Sequence, residues 1–355
     1  MKAFGFLSFG HHAVGGKRGM DARENLHSQL EIAKAADEIG VNGAYFRVHH
    51  FAPQGAAPMP MLAAIIGATK HIEVGTGVID MRYENPFYLA EEAAALDLLA
   101  DGRLALGVSR GSPEPAKKGW QAFGYAAQTE NGADMAREKF ELFLAAIRGH
   151  AIAEANALEE QYPRMYQPGT PLPIFPHSPN LEQRVWWGSG TNASAVQAAR
   201  DGVNLMSSTL VSEADGSSLG ELQAEQIRVY REAWKAAGHD WTPRVSVSRS
   251  IFPILSADDR KLFGLLASDK DEIGYIEGAT KTTFGRTYAA EPDVLIEQLQ
   301  ADPAIAAADT LMITIPNQLG VDTNVRILQN FAEHVAPALG WIPATAGLTE
   351  GDPIQ

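Results

Sequence analysis

The sequence predicts an α/β protein of the (β/α)8 class, a TIM barrel, on three observations. Short apolar runs alternate with longer segments whose apolar residues recur at helical spacing, the pattern of parallel strands joined by helices. Eight such units fit the chain, which favours a closed barrel over an open doubly wound sheet. Gly, His, Arg and Ser recur just after the apolar runs, where barrels carry their chemistry. Residues 1–355 are therefore read as one barrel domain with two irregular insertions, about 150–183 after strand four and 256–290 after strand seven.

Ala3–Phe9 is the first predicted strand. A Gly/His loop leads to a helix from Asp21, an N-cap residue type, with Leu26, Leu30, Ala33, Ala36 and Ile39 on one face and Gly40 as its stop. Ala44–Val48 follows as strand two, Pro60–Thr69 as a helix and Ile72–Ile79 as strand three. Pro86 opens a helix with Leu89, Ala93, Leu96 and Leu99 at helical spacing, and Asp101-Gly102 turns the chain into strand four, Leu104–Ser109. A helix near Asp134–Arg148 and a Pro-rich stretch, Tyr162–Pro179, precede strand five at Arg184–Trp187. Strands six, seven and eight are read at Val203–Met206, Val245–Pro253 and Thr310–Ile315. Gly278, Thr280, Thr282, Thr283 and Gly285 in the second insertion have the composition of a mobile lid.

The absence of cysteine rules out disulfides, thiolate metal sites, iron–sulfur clusters and a cysteine nucleophile. With 29 basic and 43 acidic residues the net charge is −14, which argues against nucleic acid or an anionic membrane as partner. The first apolar stretch is too short for a signal-peptide core or a bilayer span, so the chain is read as cytoplasmic.

The strand-end rule isolates a few positions. Gly188-Ser189-Gly190-Thr191-Asn192 follows a strand and opens a helix; small residues there either let backbone N–H groups face a phosphate or form a plain tight turn. The letters approximate a dinucleotide fingerprint, but the next strand ends Leu205-Met206-Ser207-Ser208, without the acid that motif needs. Arg110, before Gly111, is either a phosphate fork or one half of a surface ion pair. His11-His12 and His49-His50 end strands one and two; each pair is read as a general acid/base, as metal ligands or as packing. A metallohydrolase barrel needs further histidines and an aspartate where this chain has Trp186-Trp187, Met206 and Ile315, so no metal is assigned.

In order, these stretches resemble the bacterial luciferase-like flavin-dependent monooxygenase family. The resemblance runs from Ala35–Gly40 through Tyr45-Phe46-Arg47-Val48-His49-His50-Phe51, Val74–Val78, Asn85-Pro86, Leu89–Glu92 and Gly102–Val108 to Asp309–Thr314 and Phe331–Leu339. It implies a barrel that binds FMN non-covalently at its mouth, reduced by a separate flavin reductase, and that uses O2 to oxygenate a small organic substrate. His49 matches the catalytic histidine; the glutamate preceding the family's histidine pair is Val48 here. Arg110 and Ser189 match phosphate ligands, with Gly188 and Gly190 beside them, while Thr76, Gly77 and Val78 match strand three at the flavin ring, where members hold a non-proline cis peptide. A second phosphate arginine follows a Phe-Gly pair in some members; after Phe123-Gly124 the next arginine here is Arg137. His11, His50, Trp120 and Trp187, with Phe9 and Met206, are candidate substrate-pocket residues. A homodimer is common in the family. Hydride transfer with a deazaflavin and a non-catalytic flavin-binding role are the alternatives.

Overall fold

The computed structural model describes residues 3–112, 114–212, 215–268, 270–276 and 280–346. Eight strands form the central sheet: β1 Ala3–Ser8, β2 Gly43–Phe46, β3 Glu73–Thr76, β4 Leu104–Ser109, β5 Val185–Ser189, β6 Asn204–Ser207, β7 Val245–Pro253 and β8 Thr310–Ile315. Each pairs in parallel with the next, and β8 returns to β1 in the register Ala3↔Thr310 to Ser8↔Ile315, so the barrel is closed. The third strand is interrupted: after Thr76 comes the cis peptide Gly77-Val78, and Ile79–Asp80 then pairs with the end of β4.

Helices cover the outside. Those used below are α1 Ala22–Ile39, α2 Pro58–Ala68, α3 Pro86–Leu99, α4 Ala133–Ile147, α5 Asn192–Asp201 and α6 Leu219–Ala237. Their starts follow local chemistry. Asp21 and Glu24 form a reciprocal capping box on α1, and Ser218 with Glu221 does the same on α6. No helix among the described residues is long and apolar enough to cross a membrane.

The barrel interior is divided by polarity. Its middle is apolar, with Leu7, Tyr45, Ala105, Trp186, Met206 and Met312 in contact. At the end where strands begin, Arg244 donates to Glu73 at 2.5 Å, the Tyr45 hydroxyl donates to Glu73 at 2.9 Å, and the Arg244 guanidinium lies 4.6 Å from the Trp186 ring centroid. Gly43 makes room for this floor: a Cβ there would stand 2.5 Å from the Tyr45 ring.

The two predicted insertions behave differently from loops at a mouth. Residues 150–183 lie between α4 and β5, which places them at the strand-start end of the barrel. They form a short ribbon, Ala153–Glu154 with Pro171–Leu172, and are pinned where the Ser178 hydroxyl meets Asp97 at 2.5 Å and Arg184 donates to the Gly102 carbonyl at 3.0 Å. The long mouth segment is instead 110–132, between β4 and α4.

In the second insertion, the Thr-rich stretch read as a lid loop forms strands. Glu272–Ile276 and Thr280–Phe284 make an antiparallel hairpin that pairs with Leu210–Val211. Thr282 and Thr283 are buried, as β-branched residues suit a pleated sheet; Gly278 lies outside the described residues. Thr287–Ala290 then extends the sheet beside β7.

Removing one partner of the floor tests its role. Arg244→Met leaves Glu73 buried without its cation and is expected to cost about 3–5 kcal/mol in urea unfolding, whereas the Glu73→Gln/Arg244→Met pair is expected to recover most of that loss. Equal destabilisation by the single and double variants would show that the charge pair is not what matters.

Candidate active site at the barrel mouth

A cavity of about 480 Å³ opens at the strand-end mouth. Its apolar walls are Leu7, Phe9, Val78, Trp187, Met206 and Leu210, and its polar groups include Arg47, Asp80, Arg110, Ser112, Glu114, Arg137, Thr191, Ser194 and the stretch Ser207–Thr209. Strand parity explains several of these. Tyr45 points into the barrel while Phe46 and Val48 belong to the outer helix-facing core, so the period of two turns Arg47 inward above Tyr45.

One side of the cavity is suited to an anion. Arg110 leaves the end of β4, and Gly188 and Gly190 leave the end of β5. The first turn of α5 faces the same space; Thr191 caps it, accepting from the Ser194 N–H at 3.2 Å. A helix N-terminus beside an arginine is a phosphate-type donor set. Arg137, on α4, also lines the cavity, its guanidinium joined to Asp201 at 2.5 and 2.8 Å and to Glu141 at 2.6 Å.

Not every predicted residue reaches the cavity directly. Gly77, Val78, Arg110, Gly188, Gly190 and Trp187 line it, Trp187 also packing on Phe140 at 4.6 Å. Ser189 points to the helix side of β5, where its hydroxyl donates to the Thr191 carbonyl at 2.9 Å and meets the Ser194 hydroxyl at 2.5 Å. The Thr76 hydroxyl donates to the Gly107 carbonyl at 2.7 Å within the sheet. His11 stands edge-on to Phe9 at 5.8 Å and accepts from the Gln54 amide at 3.2 Å when its Nε2 is unprotonated. His50 and Trp120 join an aromatic cluster: His50 stacks on Tyr83 at 4.1 Å, and Tyr83 meets Trp120 and Phe123 edge-on. Burial, with the charges of His49 and Arg82, pushes His50 down to about 4, so it is neutral at neutral pH.

Three residues that pattern reasoning overlooks organise this region. Arg82 donates to Asp80 through Nε at 2.9 and 3.0 Å and Nη2 at 2.5 Å, to the Ser112 carbonyl at 2.8 Å and to the Asn131 carbonyl at 3.2 Å, and it lies 4.9 Å from the Trp120 ring centroid. Gly111, with φ +89°, is required beside this pair, since a Cβ there would come within 1.9 Å of Asp80. Glu114 accepts from the His50 N–H at 3.3 Å and from the Tyr83 hydroxyl at 3.3 Å, and its Oε1 is 3.8 Å from His49 Nε2. The carboxylate beside His49 therefore comes from the β4–α4 loop, whereas Val48 occupies the position before the histidine pair. Burial, then repulsion from Asp80, pushes Glu114 up to about 7. Among the described residues no group of three or more His, Asp and Glu is placed to hold a metal.

Residues 1–263 match the family model described as luciferase-like monooxygenase. The chain belongs to the luciferase-like monooxygenase family. Its curated relatives match over shorter stretches. It is 38% identical over 96 residues to the 4-hydroxyprotoasukamycin monooxygenase of Streptomyces nodosus subsp. asukaensis, covering 26% of each chain. It is 35% identical over 85 residues to the oxygenase component of the flavin-dependent trigonelline monooxygenase of Acinetobacter baylyi, covering 23% of this chain and 24% of that one. The luciferase-like fold extends further: the oxygenating constituent of 3,6-diketocamphane monooxygenase from Pseudomonas putida, solved in complex with FMN, aligns over 95% of this chain and 99% of its own with TM-score 0.65 at 17% identity. The coenzyme F420-dependent tetrahydromethanopterin reductase of Methanopyrus kandleri aligns over the same shares with TM-score 0.62 at 15% identity. At these identities the likeness is one of fold.

The raised Glu114 carboxyl has a thermodynamic signature. Between its ordinary value of 4.5 and about 7 the folded state holds a proton that the unfolded state has released, so this residue lowers stability as pH rises through that window. Glu114→Gln is expected to narrow the difference in urea midpoint between pH 4.5 and pH 7.5. An unchanged difference would mean that Glu114 titrates normally.

Proposed function

We propose that this chain is the oxygenating component of a two-component monooxygenase that uses reduced FMN and O2 to oxygenate a small organic substrate. The observation that carries the reading is the convergence on one cavity of Arg110, the α5 N-terminus, the Gly77-Val78 wall and Glu114, with His49 3.8 Å from Glu114. The donor set fits FMN: Arg110 with the Thr191 and Ser194 hydroxyls and the α5 amides would hold the phosphate, and Gly77 and Val78 would carry the ring. When bound, reduced FMN supplies the electrons that activate O2. The protein's own tasks are to bind, orient, exclude water and handle protons.

Leu7, Phe9, Val78, Trp187 and Met206 make the interior side of the cavity apolar, which keeps water from the reacting atoms. His49 Nε2, 3.8 Å from Glu114 Oε1, would hold or pass a proton, and a carboxyl lifted to about 7 exchanges protons at neutral pH. Two relatives bear names that describe one component of a larger system, "oxygenase component" and "oxygenating constituent". They support a separate reductase as the source of reduced flavin.

Two measurements test this reading. Arg110→Met is expected to weaken FMN binding by about 10- to 100-fold, the loss of a charge-assisted contact, while riboflavin binding stays the same. Equal losses for both would remove Arg110 from the phosphate site. His49→Ala is expected to keep FMN affinity and to lower substrate-dependent oxygen uptake by about 10²- to 10⁴-fold, the usual contribution of a positioned acid or base. Uptake at the parent rate would take His49 out of the mechanism, and turnover only with a deazaflavin and without oxygen would replace oxygenation by hydride transfer.

A further inference from the structure

We propose that the substrate bears a carboxylate and that Arg47 binds it. The inference rests on the reading of the mouth cavity as the flavin and substrate site and names the chemical class that site takes. Arg47 stands one residue beyond β2, its N–H still bonded to the Ser8 carbonyl at 2.9 Å, so its backbone is held by the barrel and not by a loose loop. Its guanidinium lies 5.0 Å from the Phe9 ring centroid and donates to the Ser112 hydroxyl at 3.3 Å, and Phe9 and Ser112 both line the cavity.

The electrostatics of this arginine differ from those of its neighbours. Arg137 is paired with Asp201 and Glu141, and the charge of Arg110 acts on Asp80. No carboxylate among the described residues forms an ion pair with Arg47, in a chain that carries 43 acidic side chains. The carboxyl whose charge it feels is Glu114, which burial pushes up to about 7 and which makes an incomplete counter-ion at neutral pH. Burial and the Arg47 charge both lower His11, so the adjacent imidazole is neutral and adds no second positive charge beside the arginine. A part-buried guanidinium without a paired carboxylate is costly. Fixed at the wall of a cavity, it matches a ligand carboxylate through its planar donor fork. The Phe9 ring and Leu7 beside it offer contact to an apolar or aromatic body.

A second anion could reach the same guanidinium, the FMN phosphate, and the experiment separates the two. Calorimetry would compare benzoate, hexanoate and decanoate with their primary amides, on the protein alone and with FMN, and would compare FMN with riboflavin. The expected result is that at least one acid binds at least about tenfold more tightly than its amide. Arg47→Met and Arg47→Gln would reduce that acid to the level of the amide, Arg47→Lys would restore part of the preference, and the FMN-to-riboflavin affinity ratio would not change. Circular dichroism of each variant checks that the barrel has folded, and the two neutral replacements guard against a packing effect of either one. Acids and amides bound alike by the parent protein would overturn the proposal, as would an arginine-dependent preference for FMN over riboflavin. An acid preference in a protein that fails to bind FMN would sink the flavin reading and leave the carboxylate assignment standing.

Discussion

The buried ion pair between Asp80 and Arg82 is the constraint on which the mouth of this barrel depends. It sits where the third strand resumes after Val78, and Arg82 directs its remaining donors to the carbonyls of Ser112 and Asn131. Lys139 on α4 donates to the Arg82 carbonyl at 2.8 Å. This one residue thus ties the strand-three extension to both ends of the 110–132 segment through its guanidinium and to the helix that follows through its carbonyl. Burial alone would lower Arg82, but the hydrogen bonds and charge of Asp80 raise it, so the arginine keeps its proton. Such a pair adds little net stability over an apolar substitute, yet breaking it strands a charge in the interior. Its function is geometric: with Arg82 in place, Glu114 is brought to His49, His50 stacks on Tyr83, and Trp120 meets Tyr83 edge-on.

The two ends of the barrel solve opposite problems with similar residues. At the strand-start end, Glu73, Arg244 and Tyr45 satisfy one another, and Trp186 covers the guanidinium, so charge is sealed in. At the mouth, Arg47 and Arg110 face a cavity, and the helix end of α5 adds a positive potential. The overall charge of −14 sharpens this contrast, because positive groups gathered at one opening stand out in an acidic chain.

Much of the fold was legible in the sequence, and the site only in part. The eight strands follow from apolar runs and β-branched residues, and the first helix start, Asp21, follows from capping chemistry, both of which are local. Arg110, Gly188, Gly190 and Trp187, read from the strand ends, line the cavity because strand ends are predictable and converge at the mouth. Arg47 carried a signal that pattern reading passed over, its parity with Tyr45. Glu114 carried none, because its approach to His49 depends on a loop conformation fixed by Arg82. His50 and Trp120 were placed in the pocket from their position along the chain, but the aromatic cluster around Tyr83 claims them. The Thr-rich segment before Phe284 read as a loop because a two-strand hairpin finds its partner, Leu210–Val211, some 70 residues away in sequence.

The sequence by itself determined the closed barrel, the family and the strand ends that line the mouth cavity, since periodicity and capping are set by neighbours along the chain. Only the tertiary structure decided which side chains share the cavity. That outcome depends on packing between segments far apart in sequence: the Asp80–Arg82 pair holding the 110–132 loop, the Glu114 carboxyl beside His49, and the Arg47 guanidinium held against Phe9 without a carboxylate among the described residues.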